Sequence, residues 1–215
     1  MTNAPWDARL AALIVKPFCN SWITPNYLTT LRLASGLGAA FLFGTGEWPY
    51  LAAWLWVISA FLDHTDGELA RMSGKQSRSG HFYDLVTDAV ATMSLFVGIG
   101  WGLTSSYLGK WALLMGLITG IAIAIIFHLR SEIEQRSGKA ATEQPSLLGF
   151  ESEDALYLLP LIVWLDGLTA VLFIGIFLTP IIAIAVGRQY LTQPKQRHLV
   201  QHRHQYLAQP NKTQP

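Results

Sequence analysis

The stretch FLDHTDGELARMSGKQSRSGHFYDLVTD, Phe61 to Asp88, sets four aspartates, Asp63, Asp66, Asp84 and Asp88, among neighbours that are long runs of Leu, Ala, Ile, Val and Trp. Of 215 residues 51% are hydrophobic and only 13% are charged. The apolar residues fall in long blocks and lack the spacing of an amphipathic surface helix. A helical block of about 20 apolar residues crosses the roughly 30 Å hydrocarbon core of a bilayer. Six such blocks can be marked, at 28–47, 50–71, 84–106, 111–130, 147–165 and 168–188. The expected fold class is therefore an all-α integral membrane protein, a six-transmembrane-helix bundle.

The fifth block is clean only from Ala155 to Leu165, which spans about 16 Å as a helix. It must begin earlier, and that draws Glu151, Glu153 and Asp154 toward the membrane. Asp166-Gly167 then joins the fifth and sixth blocks tightly, so the two read as a helical hairpin. Lys and Arg set the orientation. Six crossings place every one of the 15 basic residues except Lys110 at one set of helix ends, so both termini are expected in the cytoplasm, at the inner membrane if the source is bacterial. Trp48, Trp101, Trp111 and Trp164 fall near the opposite ends, as an interfacial aromatic belt requires.

Three segments follow from this pattern. Residues 1–23 show no apolar core with a cleavage site, so no signal peptide is expected. Instead WDARLAALIVK reads as an N-terminal interfacial helix, with Trp6, Leu10, Leu13 and Ile14 on its apolar face and Arg9 and Lys16 near the headgroups. Residues 24–190 hold the six-helix membrane domain. Residues 191–215, rich in Gln, His and Pro, read as a mobile cytoplasmic tail, where His198, His202 and His204 fit a solvated basic segment beside anionic lipid better than a metal site. The lone Cys19 excludes an internal disulfide, and a formal charge of +1 gives no reason to invoke nucleic acid.

Asp63 and Asp66 are three apart and share a helix face with Gly67 and Ala70; Gly80, Asp84 and Asp88 recur every four residues as one stripe. The second block runs inward and the third runs back out. Two pairs of carboxylates thus face each other across a helical hairpin, near its cytoplasmic end. Unneutralised, they would repel, and each is costly inside a membrane. Pairing with Arg32, Arg71 and Arg78 leaves the account incomplete, because three arginines cannot neutralise four buried acids. Hard divalent ions choose oxygen ligands, and two of them about 3.5 to 4 Å apart can clamp a diphosphate. Despite His64 and His81 nearby, so many carboxylates suit Mg²⁺ or Mn²⁺ better than Zn²⁺. Gly116 and Gly120, far from the acids, have only a helix-packing reading.

Asp63, Asp66, Gly67, Ala70, Arg71, Gly80, Asp84 and Asp88 match every position of D-x-x-D-G-x-x-A-R-x8-G-x-x-x-D-x-x-x-D. On these residues the chain resembles the CDP-alcohol phosphotransferase family, and TPNYLTTLR, Thr24 to Arg32, is similar to the opening of that family's first helix. The resemblance implies transfer of a substituted phosphate from a CDP-linked donor to an alcohol, with release of CMP. It implies that Asp63, Asp66 and Asp84, with Asp88 beside them, bind two ions of Mg²⁺ or Mn²⁺, and that Asp88 is the general base. Asp63, Asp66, Gly67, Ala70, Arg71 and Gly80, with Asn26 and Thr29 from the first helix, would form the CDP site. A homodimer is compatible with the same likeness.

The acceptor is less plainly written. The zone FHLRSEIEQR, Phe127 to Arg136, and GFESEDALY, Gly149 to Tyr157, offers Arg130 and, from the sixth block, Arg188, but sets Glu151 and Asp154 on one face. These four are the expected acceptor-binding residues. The acids repel a phosphate dianion and suit a polyol or amino-alcohol, whereas DGELAR is similar to relatives that make inositol phosphate lipids. The leading expectation is CDP-diacylglycerol as donor and a small polar alcohol as acceptor. A CDP-linked headgroup transferred to diacylglycerol is the alternative, and a scaffold or transporter is the reading from another class. A transporter would carry broken helices near the midplane, whereas here the acids gather at one end.

Overall fold

The computed structural model describes residues 6–137 and 157–192. These form α1 (Trp6–Val15), α2 (Pro25–Thr45), α3 (Pro49–Ser73), α4 (Arg78–Gly102), α5 (Lys110–Ser137), α6 (Leu159–Trp164) and α7 (Leu168–Thr192), with no strand among the described residues. Residues 147–156 of the fifth apolar block, with Glu151 and Asp154, and the tail beyond Thr192 lie outside them.

Local chemistry sets the helix ends. Pro25 and Pro49 occupy first-turn positions, where a missing N–H costs nothing. α2 stops at Gly46, whose left-handed φ of 71° lets its N–H return to the carbonyls of Leu42 and Phe43, both at 3.2 Å. Ser77 caps α4, its Oγ accepting from the Gly80 N–H at 3.0 Å. This cap starts α4 at Arg78, ahead of the apolar block at 84, so the polar turn Arg78–Tyr83 is helical too.

The helices pack as a bundle in which α2 lies against both α3 and α4, α5 lies on α4, and α7 lies on α5. The described part of α6 packs against α3, whereas α7 packs against α5. The turn at Asp166-Gly167 therefore joins two described elements that pack on different neighbours. Asp166 takes a left-handed φ of 53°, and the Gly167 N–H returns to the Ile162 carbonyl at 2.8 Å.

Small residues bring backbones together. A Cβ on Gly98 would run into the Ala40 carbonyl of α2, and one on Gly116 would run into the Phe96 carbonyl, so α2–α4 and α4–α5 cross at glycine. In lipid, association depends on such close packing because lipid tails are as apolar as the side chains they replace. The core between them contains Ala39, Phe43, Ala53, Trp56, Leu95, Ile99 and Leu172.

The outer surface is apolar. Ile174, Phe177, Ile181 and Ile184 on α7 are each more than half exposed, and only 17% of that helix's apolar window is buried within the protein. Arg78–Ser105, Lys110–Glu134 and Leu168–Thr192 are long and apolar enough to cross a membrane. An apolar surface of this extent belongs in lipid, and the protein is an integral membrane protein. Trp48, Trp101, Trp111 and Trp164 are 60%, 47%, 70% and 67% exposed, all at helix ends away from the four aspartates. α1 buries Ala11 and Val15 and leaves Leu13 72% exposed.

Replacing Gly98 by Val should destabilise the detergent-solubilised protein by about 1–3 kcal/mol or more, since the added carbons meet backbone and cannot be relieved by a rotamer change. Thermal unfolding monitored by size-exclusion chromatography measures this, with Gly38→Ala, whose Cβ meets only Leu55 Cδ1 at 3.7 Å, as the silent control.

Candidate active site

Antiparallel α3 and α4 bring the two pairs of aspartates to one end of the bundle, and α2 closes the third side. Ligand oxygens of Asp63, Asp66 and Asp84 lie within 4.8 Å of one another, a spread that fits a single octahedral oxygen-ligated cation. Asp66 is 4% exposed, and the side chains of Asp63, Asp84 and Asp88 are 32%, 37% and 35% exposed.

Arg32 of α2 stands against these acids. Its side chain is 2% exposed, and it is the bulkiest of the fully buried side chains among the described residues. Nη1 donates to Asp63 Oδ1 and, at 2.8 Å, to Asp84 Oδ1; Nη2 donates to Asp88 Oδ1 at 2.8 Å. Thr29, one turn earlier and 3% exposed, donates from Oγ1 to Asp66 Oδ2 at 2.6 Å. One arginine thus reaches three of the acids at once.

The acid layer separates two cavities. The larger, about 650 Å³, is lined by Asp84 and by Asp66, Asn26, Thr29, Gly67, Ala70, Arg71 and Gly80, all expected in the CDP site, whereas Asp63, expected there too, does not line it. Its volume is that of a small-molecule site. The smaller, about 70 Å³, lies on the other side and is lined by Asp63, Asp88 and Arg32 with Trp56, Ser59 and Tyr157 among others. Trp56 Nε1 is buried and has no hydrogen-bond partner.

Missing side chains shape the larger cavity. A Cβ on Gly67 would find only Arg71 Nη2, at 3.8 Å, whereas one on Gly80 would press on Ser77 Oγ at 2.9 Å and Asn26 Oδ1 at 3.2 Å. Lys75, in the wall, donates to the carbonyls of Ser21 at 3.1 Å and Ile23 at 3.4 Å. That ties the end of α3 to the segment preceding α2. Arg71 pairs with Glu68 at 2.8 Å and is half exposed, which leaves its guanidinium at the cavity rim.

The family model for CDP-alcohol phosphatidyltransferases matches residues 22–181, which contain all eight motif positions. The protein belongs to this family. Among curated relatives, the archaetidylinositol phosphate synthase of Pyrococcus horikoshii is 37% identical over 89 residues, 41% of this chain and 47% of the relative. The phosphatidylinositol phosphate synthase of Mycobacteroides abscessus is 29% identical over 150 residues, 66% of each chain. The matches thus span about half to two thirds of the length of these relatives. Two solved structures of the phosphatidylinositol phosphate synthase of Mycobacterium tuberculosis share the fold. The one with CDP-DAG bound has a TM-score of 0.67 and the one with manganese and citrate 0.68, both at 18% identity over 86% of this chain, and over 96% and 90% of theirs.

Sequence reasoning missed several residues of the larger cavity, namely Lys75, Gln76, Arg78, His81 and Glu134. Glu134 comes from the Phe127–Arg136 zone expected to meet the acceptor. Arg130 and Arg188, expected there as well, line neither cavity. Arg136 is tied to α7 instead, hydrogen-bonded to the Tyr190 hydroxyl and stacked 4.1 Å over its ring. His64 Nδ1 lies 3.1 Å from the Ala60 carbonyl, to which it donates when it carries the ring proton, and 3.4 Å from the Tyr157 hydroxyl.

Gly67→Leu should lower cytidine diphosphate affinity by about tenfold or more while leaving the unfolding temperature within a degree or two, because its side chain fills cavity space and not core. Isothermal titration with CDP and a thermal-shift measurement on the same preparation check both parts.

Proposed function

We propose that the protein transfers a phosphatidyl group from CDP-diacylglycerol to a small polar alcohol and releases CMP, using two divalent ions. The observation that carries this reading is the gathering of Asp63, Asp66 and Asp84 around one point at the edge of a cavity that Gly67, Ala70, Arg71 and Gly80 line. The relative seen with CDP-DAG bound supports the donor, and its form with manganese supports the metal. A donor set made only of carboxylate oxygens fits Mg²⁺ or Mn²⁺.

Asp63, Asp66 and Asp84 would hold the ions, with Asp88 at their edge. Once bound, the ions supply positive charge that screens the diphosphate and stabilises the departing CMP. Asn26, Thr29, Gly67, Ala70, Arg71 and Gly80 receive the cytidine end, and Arg71 at the rim adds a charged hydrogen bond to a phosphate oxygen. The acceptor oxygen attacks the phosphorus that carries diacylglycerol, and the bond from that phosphorus to the bridging oxygen breaks, leaving the oxygen with CMP. The acceptor's proton passes to Asp88, which lines the smaller cavity while the nucleotide residues line the larger one. Donor and acceptor thus meet across the acid layer. Arg130 and Arg188, with Glu151 and Asp154 outside the described residues, remain the proposed outer acceptor zone.

The membrane arrangement belongs to the same proposal. The catalytic unit comprises residues 24–190. α2, α3, α4, α5, the segment ending in α6, and α7 make six crossings, with α1 at the interface, the acid end and both termini cytoplasmic, and a homodimer as assembly.

The test is metal-dependent CMP release from CDP-diacylglycerol in the presence of candidate alcohols. Asp63→Asn, Asp66→Asn and Asp84→Asn should each lower turnover by about a hundredfold or more and weaken CDP binding at fixed Mg²⁺. Asp88→Asn should lose most turnover yet bind CDP within about threefold of the unaltered protein, since a missing proton acceptor raises the chemical barrier more than it weakens ground-state binding. Near-normal CMP release from any of the first three would sink the metal reading, and a parallel loss of affinity in Asp88→Asn would make it a ligand first.

Orientation has its own measurement. In a Cys19→Ser background, cysteines at Gln76 and Ser105 should label from opposite membrane faces with an impermeant maleimide, Gln76 from the cytoplasm.

A further inference from the structure

All four aspartates are held from one helix. Two side chains of α2, one turn apart, do this: Thr29 bonds Asp66, and Arg32 bonds Asp63, Asp84 and Asp88. Both are buried, 3% and 2% exposed. Neither belongs to the aspartate motif, which lies wholly on α3 and α4. We propose that Thr29 and Arg32 are positioning residues for the divalent-ion site, fixing the four carboxylates so that each presents an oxygen to the ions. This inference rests on the metal-dependent reading above.

The contacts are economical in a way that suits such a role. Arg32 takes Oδ1 of each of its three partners, and a carboxylate has a second oxygen to give. Thr29 likewise takes only Oδ2 of Asp66. Arg32 also sits on the side of the layer away from nucleotide: it lines the small cavity with Asp63 and Asp88, not the large cavity lined by Asp66 and Asp84. One guanidinium offsets one of four negative charges, so it cannot take the place of the ions. What it supplies is geometry, because a planar fork with donors in fixed directions can span acids on two helices, whereas an ammonium is a point charge. The backbone that carries the fork is itself braced, since the Arg32 carbonyl accepts from Ser59 Oγ at 2.9 Å and from Ser35 Oγ at 2.9 Å. Partners that orient metal ligands in this way are worth about 10- to 100-fold in metal affinity.

Charge and geometry predict opposite signs, which makes the inference testable. A cation beside the site opposes binding of a dication, so an arginine that merely competes would, when neutralised, leave metal binding tighter. A positioning arginine leaves it weaker.

The experiment titrates Mn²⁺ into the purified full-length protein in detergent, following free Mn²⁺ by electron paramagnetic resonance, for the unaltered chain, Thr29→Val, Arg32→Lys and Arg32→Gln. Unfolding temperature is recorded in parallel with chelator and with saturating Mn²⁺. Expected are affinities weaker by about tenfold or more in each variant, and a smaller Mn²⁺-induced rise in unfolding temperature than the unaltered chain shows. Thr29→Val preserves shape and Arg32→Lys preserves charge, so both serve if Arg32→Gln does not fold. Tighter binding in Arg32→Gln, or unaltered affinity in both Thr29→Val and Arg32→Lys, overturns the inference while leaving the metal reading intact. An unaltered chain that binds no Mn²⁺ overturns both.

Discussion

The buried guanidinium of Arg32 is the contact on which the acid end of the bundle depends. Placing an arginine at 2% exposure among Asp63, Asp84 and Asp88 carries a desolvation cost of several kcal/mol per ion, which the mutual attraction repays only where the geometry is good and the remaining donors are used. Here both terminal nitrogens are engaged, and Nη2 also reaches the Asp84 carbonyl at 3.4 Å. The acids come from α3 and α4, which would otherwise bring like charges together, and the cation comes from α2. The three helices are thereby bound to one spacing at this end.

That spacing is possible because the helices can approach closely elsewhere. Gly98 lies against the Ala40 carbonyl, and a Cβ on Gly36 would meet Ser59 Oγ at 3.0 Å and Ala91 Cβ at 3.1 Å. Larger residues at either position would push α2 outward, and the arginine fork would no longer reach both opposing helices. Packing in the apolar half and charge pairing in the polar half are thus one mechanical system. Thr30 adds to it, its Oγ1 lying 3.0 Å from the Tyr83 hydroxyl of α4.

The acid layer also divides labour by depth. Four residues along α4 make about one turn, roughly 6 Å, and this step carries the lining from Asp84 in the large cavity to Asp88 in the small one. Asp66 and Asp63 make the same division on α3. Each helix contributes one acid to each side, so a group entering from the open end and a group lodged deeper in the bundle face the same four carboxylates from opposite directions. The open side is kept open by short side chains at Gly67, Ala70 and Gly80.

The sequence by itself determined the helical class, the membrane setting, the family and the two aspartate pairs, because these rest on local quantities: the length of apolar runs, the period of 3.6 residues, and fixed spacing within one segment. It also located the cores of the long helices, missing chiefly two polar ends where hydropathy gives no signal: Arg78–Tyr83 of α4, which a serine cap supports, and Ser131–Ser137 of α5. Only the tertiary structure decided which cation stands among the acids, since Arg32 is 31 residues from Asp63 and 56 from Asp88 in sequence. Glu134 in the cavity wall and the parting of α6 toward α3 and α7 toward α5 are decisions of the same kind. Contacts between helices depend on how side chains fill the space between backbones, and that volume is not written at any single position of the chain.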